Sequence, residues 1–198
     1  RVLSPRKLIQ FALFLVAGTK LPYFPVWLND RGLTTGEIAM VVAAPLFVRI
    51  AGTPAIGLAA DMHGDRRRAV ILLAWGAFTA FLLLVPAGGF AAILLITILL
   101  SVATTSMMPL TETVAMAGVR RHGLDYGRMR LWGSLTFIAA SFAAGFAVQR
   151  AGAPIVLWLL ILGAGATVAA AHLLPPPERD STQVAGAAAG RQGSMMAE

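Results

Sequence analysis

The stretch KLPYFPVW, residues 20 to 27, puts Lys20, Tyr23, Phe24 and Trp27 at offsets of 3, 4 and 7, which is one stripe of a helix. An ammonium beside aromatic rings suits an aromatic carboxylate, charge on charge and ring on ring. The same residues fit a second reading, in which Lys20 snorkels outward while Tyr23 and Trp27 form an interfacial belt. A second cation, Arg49, has Pro45, Leu46, Gly52 and Thr53 as its helical neighbours, none of them a carboxylate. It therefore needs a water-filled path, a substrate or an acidic partner from elsewhere. Thr97, Ser101, Thr104, Met108 and Thr111 share one further face, with Thr105 and Glu112 adjoining it. Such a stripe either lines a path or makes interhelical hydrogen bonds. Glu112 is the candidate proton carrier, or else a surface partner for Arg128 or Arg130. Trp132 is a candidate ring for stacking a substrate, or a packing residue.

Other chemistry has little to stand on. The sequence has no cysteine, so thiolate metal sites and thiol nucleophiles are excluded. His63, His122 and His172 share no ligand spacing, and no metal is expected. Ser134 and His172 would make a nucleophile and base, but Ser134 is not in a Gly-x-Ser-x-Gly setting and no third residue orients the pair. The expectation is a protein that is not an enzyme.

The elements that must carry these residues follow from composition. Of 198 residues, 13% are charged and 58% hydrophobic, and mean hydropathy is +0.76; a soluble domain carries about 25% charge. Six mostly apolar stretches, about 7–28, 36–60, 69–86, 89–117, 128–149 and 153–174, each approach the roughly 20 residues that cross a bilayer as a helix. Short breaks at Pro86–Gly89 and Arg150–Pro154 make antiparallel hairpins of the third with the fourth and the fifth with the sixth. Lys20 and Arg49 then fall inside spans, where each costs about 2.5–3.5 kcal/mol at a helix centre unless something offsets it.

The net charge of +7 is a matter of topology. With the N-terminus cytoplasmic, Arg1, Arg6, Lys7, Arg66, Arg67, Arg68, Arg120, Arg121, Arg128, Arg130, Arg179 and Arg191 share that side. Only Arg31 and Arg150 lie opposite. This asymmetry places both termini in the cytoplasm and removes the case for nucleic acid as a partner. Residues 1–174 form the transmembrane domain, and 175–198, rich in Pro, Gly, Ala and small polar residues, read as a flexible cytoplasmic tail or linker.

The spans repeat an order. The first and fourth carry polar interruptions, the second and fifth carry small residues at Gly52, Gly57, Gly133, Ser134, Ser141 and Gly145, and the third and sixth are apolar nearly all round, as lipid-facing helices are. Three spans invert the chain, so the expected fold is an all-α membrane protein whose six helices form a 3+3 inverted repeat.

Two regions resemble known families. Gly57-Leu58-Ala59-Ala60-Asp61-Met62-His63-Gly64-Asp65-Arg66-Arg67 resembles the signature loop between helices 2 and 3 of the major facilitator superfamily, departing from it at Met62, where the family often has a basic residue. Pro109-Leu110-Thr111-Glu112 and Asp125-Tyr126-Gly127-Arg128-Met129-Arg130-Leu131-Trp132-Gly133-Ser134 are similar to the helix 4–5 region of the 3-phenylpropionic acid transporter-like permeases, distant relatives of lactose permease. Leu21-Pro22-Tyr23-Phe24-Pro25-Val26-Trp27-Leu28 is similar to the same group. The resemblance implies the N-terminal six-helix half of a major facilitator fold in a bacterial inner membrane. It implies a proton-driven symporter of an aromatic or other small organic solute, with no cofactor beyond the proton gradient. Substrate binding is expected at Lys20, Tyr23, Trp27, Arg49, Thr104, Met108 and Trp132, and proton coupling at Glu112. A cytoplasmic gate is expected at Gly57, Asp61, Gly64, Arg66, Asp125, Arg128 and Arg130. The expected partners are the lipid bilayer, the solute, and a C-terminal six-helix half or a second copy.

Overall fold

A computed structural model describes residues 5–62, 66–122 and 126–174, with side chains described for 8–47, 50, 67–107, 127 and 131–174. The described residues form six helices: α1 (Pro5–Asp30), α2 (Thr35–Met62), α3 (Arg66–Leu83), α4 (Phe90–His122), α5 (Tyr126–Ala151) and α6 (Ile155–His172). The third begins earlier than its apolar run at Ala69, because arginine is a good helix former and Arg66–Arg68 make up its first turn. It ends before Pro86, whose ring disfavours helical geometry in the residue ahead of it. Among the described residues four helices are long and apolar enough to cross a membrane: Leu8–Asp30, Phe90–Met107, Leu131–Ala151 and Ile155–His172.

The turns that follow α1 and α5 have chemical causes. The α1 helix closes with Leu33 N–H on Leu28 O and Gly32 N–H on Asn29 O, and Gly32 takes φ +82°, where a side chain would be strained. Thr34 and Glu37 then cap α2 reciprocally. The Thr34 N–H and hydroxyl both donate to Glu37 Oε2 at 2.8 Å, and the Glu37 N–H donates to Thr34 Oγ1. The α5 helix ends with Gly152 N–H on Val148 O and Gly152 at φ +79°.

Packing reveals the symmetry. The α1 helix lies against α5 and α6, α4 lies against α2 and α3, and α3 meets α6. Exchanging α1 with α4, α2 with α5 and α3 with α6 maps this set of neighbours onto itself. That is the two-fold relation of an inverted repeat, expressed in contacts rather than in hydropathy.

Small residues make these approaches possible. A Cβ on Gly18 would stand 2.5 Å from the Phe137 carbonyl oxygen of α5, and one on Gly133 would meet the Phe14 ring. Ser141 of α5 donates to the Gly18 carbonyl at 2.8 Å as well as to Phe137 of its own helix. On α6, Gly163 sits under Val16 and Leu15 of α1.

The expectation that apolar composition marks the outer helices needs refinement. Half of the α6 span is buried inside the unit, whereas only 22% of the α5 span is. A helix that is apolar all round carries no signal for which face meets protein. Leu131, Leu135, Ile138, Phe142 and Phe146 leave α5 with a continuous exposed apolar stripe.

Candidate functional site

The aromatic stripe of α1 is where the described candidates gather. Pro22 and Pro25 sit inside this helix, removing backbone donors on either side of Tyr23 and Phe24. Lys20 is half-buried, with Nζ 5.9 Å from the centroid of the Phe24 ring, at the outer edge of cation–π range. The carboxylates with described side chains are elsewhere. Asp30 is ten residues on, about 15 Å along the helix. Glu37 is engaged by Thr34.

The remaining candidates are placed differently from one another. Trp27 is 1% exposed and stacks on Phe24, with ring centroids 5.6 Å apart and planes 16° from parallel. Its burial leaves it no free face for a solute, so within the described residues it supports the site from behind. Tyr23 points its hydroxyl at the backbone of Gly145 on α5, where a Cβ would collide with it. Thr104 is half-buried and donates to Leu100 O at 3.0 Å, so its hydroxyl is satisfied within α4. Trp132 is 66% exposed at the start of α5, on the face that carries the α5 apolar stripe.

Arg49, Gly57, Asp61, Arg66, Met108, Glu112, Arg128 and Arg130 fall within the helices, but their side chains lie outside the described residues. Gly64 and Asp125 lie outside the described residues altogether.

Three features escaped the reading of spacing. Ser106 is buried, and its hydroxyl, like that of Thr97, has no partner among the described residues. Arg31, which the charge pattern places only on the side opposite the termini, reaches back over the Trp27 ring at 4.9 Å. Its position four residues beyond Trp27 was the available signal. His172 is engaged by α3: its Nε2 accepts from the Trp75 indole at 3.1 Å and its carbonyl accepts from Arg67. Indole nitrogen only donates, so this imidazole nitrogen is an acceptor already in use.

Comparison with known proteins settles the family. The model of the MFS_1 like family matches residues 6–194, nearly the entire chain. The chain belongs to this family of the major facilitator superfamily. It is 29% identical over 171 residues to the maltose permease of Geobacillus stearothermophilus, covering 85% of this chain and 43% of that one. It is 33% identical over 156 residues to a protein of Escherichia coli (strain K12) named "Probable 3-phenylpropionic acid transporter", covering 77% of this chain and 40% of the relative. The chain thus spans less than half the length of these relatives. It matches no solved structure at a significant level. As a member of this family with apolar helices of membrane-crossing length, it is an integral membrane protein built as an N-terminal major facilitator half.

Proposed function

We propose that this chain is the N-terminal half of a secondary active transporter for a small organic anion, working as a proton-coupled symporter. The observation that carries the proposal is Lys20, a cation inside an apolar helix of a transporter family, resting on an aromatic ring and set apart from the described carboxylates. A cation in that position costs several kcal/mol unless a mobile anion or water offsets it. An aromatic carboxylate satisfies both the ammonium and the rings, and the name of the Escherichia coli relative points the same way. Arg49 is a second cation for the same anion, Tyr23, Thr104, Met108 and Trp132 border the solute, and Trp27 backs the site. Glu112 carries the coupled proton. The cytoplasmic gate is formed by Gly57, Asp61, Gly64 and Arg66 with Asp125, Arg128 and Arg130. Both termini are cytoplasmic, the membrane is a bacterial inner membrane, and a second six-helix half completes the solute path.

The deciding experiment is uptake of labelled 3-phenylpropionate, maltose and a nucleoside into proteoliposomes with and without an inward proton gradient. Gradient-driven accumulation of 3-phenylpropionate alone is the expected result. Gradient-driven accumulation of maltose instead would replace the aromatic carboxylate with a sugar, in line with the other relative.

A further inference from the structure

The stripe on α1 does not stop at Trp27. Arg31 continues the register 20, 24, 27, 31, and contacts run along it without a gap. The Lys20 Nζ lies over the Phe24 ring, Phe24 stacks on Trp27, and the Arg31 guanidinium carbon lies 4.9 Å from the Trp27 centroid. Arg31 is itself fixed from outside α1. One Nη donates to Val85 O at 3.0 Å and the other to Ala87 O at 3.4 Å, in the connection between α3 and α4. Phe24 and Trp27 are 3% and 1% exposed, so neither ring has an alternative place to go.

A planar guanidinium can hold two carbonyls in its plane while its face covers an indole, which an ammonium cannot do. Trp27 is thereby gripped from one side and stacks on Phe24, and the face of Phe24 carries the ammonium of Lys20. The ring holds that ammonium weakly compared with a carboxylate. It therefore sets where Lys20 waits without competing with an anion for it.

We propose that Arg31 is a positioning residue for the solute site. Acting through Trp27 and Phe24, it sets the resting place of the Lys20 ammonium and ties the affinity for an anionic solute to the α3–α4 connection. The proposal rests on the reading of Lys20 as the partner of the anion.

The sequence contains two lysines, Lys7 and Lys20. Reductive ¹³C-methylation, which keeps the charge, therefore yields a Lys20 signal that is assigned by its loss in Lys20→Arg. Over an aromatic face that signal is shifted upfield. Phe24→Leu should abolish the shift, and Arg31→Gln and Arg31→Lys should each reduce it. Arg150→Gln, whose guanidinium rests on Phe146, should leave it in place. With 3-phenylpropionate as the probe, Phe24→Leu and Arg31→Gln should each raise KM roughly three- to tenfold with little change in kcat. The double variant should be no worse than Phe24→Leu, because both substitutions break one chain of contacts. If Arg31→Gln fails to accumulate in the membrane, Arg31→Lys carries the same test.

An unmoved Lys20 signal in the Arg31 variants, or effects on KM that multiply in the double variant, overturns the proposal. Lys20→Met separates the two levels. Unchanged affinity in Lys20→Met removes Lys20 as the partner of the anion. Lost affinity there, together with an unmoved signal in Arg31→Gln, removes only the relay from Arg31.

Discussion

Lys20 and the hydroxyls of α4 show how differently polar side chains can be spent inside one apolar helix bundle. Lys20 has an aromatic face for company and no carboxylate partner among the described residues, so removing its charge should remove the attraction offered to an anionic solute. Lys20→Met is expected to weaken 3-phenylpropionate binding at least tenfold without lowering the amount of protein in the membrane, read by equilibrium binding beside quantitative blotting. Thr104 has already given its hydroxyl to Leu100, so in the proposed site it borders the solute with its methyl group, and Thr104→Val, which keeps that methyl, should leave uptake within about twofold of the parent. Thr97 is the contrary case, a buried hydroxyl with no partner among the described residues. Exchange for an isosteric apolar side chain removes its desolvation penalty, so Thr97→Val should be neutral or should stabilise by about 1 kcal/mol, a rise of roughly 2–4 °C in melting temperature. A clear fall in melting temperature would mean that the hydroxyl is bonded in the working protein.

Between helices the governing quantity is how closely two backbones approach. Gly18 faces a carbonyl of α5, and backbone yields less readily than a side-chain tip. Gly18→Ala should therefore cost about 1–3 kcal/mol and lower the melting temperature by several degrees. Gly36 has open space where its Cβ would go, and Gly36→Ala should cost nothing measurable, which makes it the control. Spacing made the glycines of α5 legible as packing residues, and it made the stripe on α1 legible as a face. It did not show which helix each face would meet. Tyr23 and Trp27 share that stripe, yet one points at Gly145 of α5 and the other is enclosed with Phe24 and Arg31. A helical register specifies an angle around one axis. The neighbours that occupy that angle include residues far along the chain, Gly145 for Tyr23 and, through Arg31, the carbonyls of Val85 and Ala87 for Trp27.

Six helices cross-packed in a two-fold pattern form a body whose two ends are open to direct test. The sequence has no cysteine, so single introduced cysteines report one position each. In intact cells a membrane-impermeant maleimide should label Gly88→Cys, in the α3–α4 connection, and should leave Leu173→Cys, just beyond α6, unlabelled until the membrane is opened. The reverse pattern would invert the proposed topology. Hydropathy by itself determined the number of helices, the membrane character of the chain and the order that repeats after three. Those properties depend on the transfer of each segment between water and lipid, which is local to the segment. The tertiary structure alone decided that half of α6 is buried while α5 keeps its apolar stripe exposed, and that Arg31 is anchored on the α3–α4 connection as it covers Trp27. Both depend on which surfaces meet, and apolar faces that are equivalent to lipid become distinguishable only once neighbouring helices have filled them.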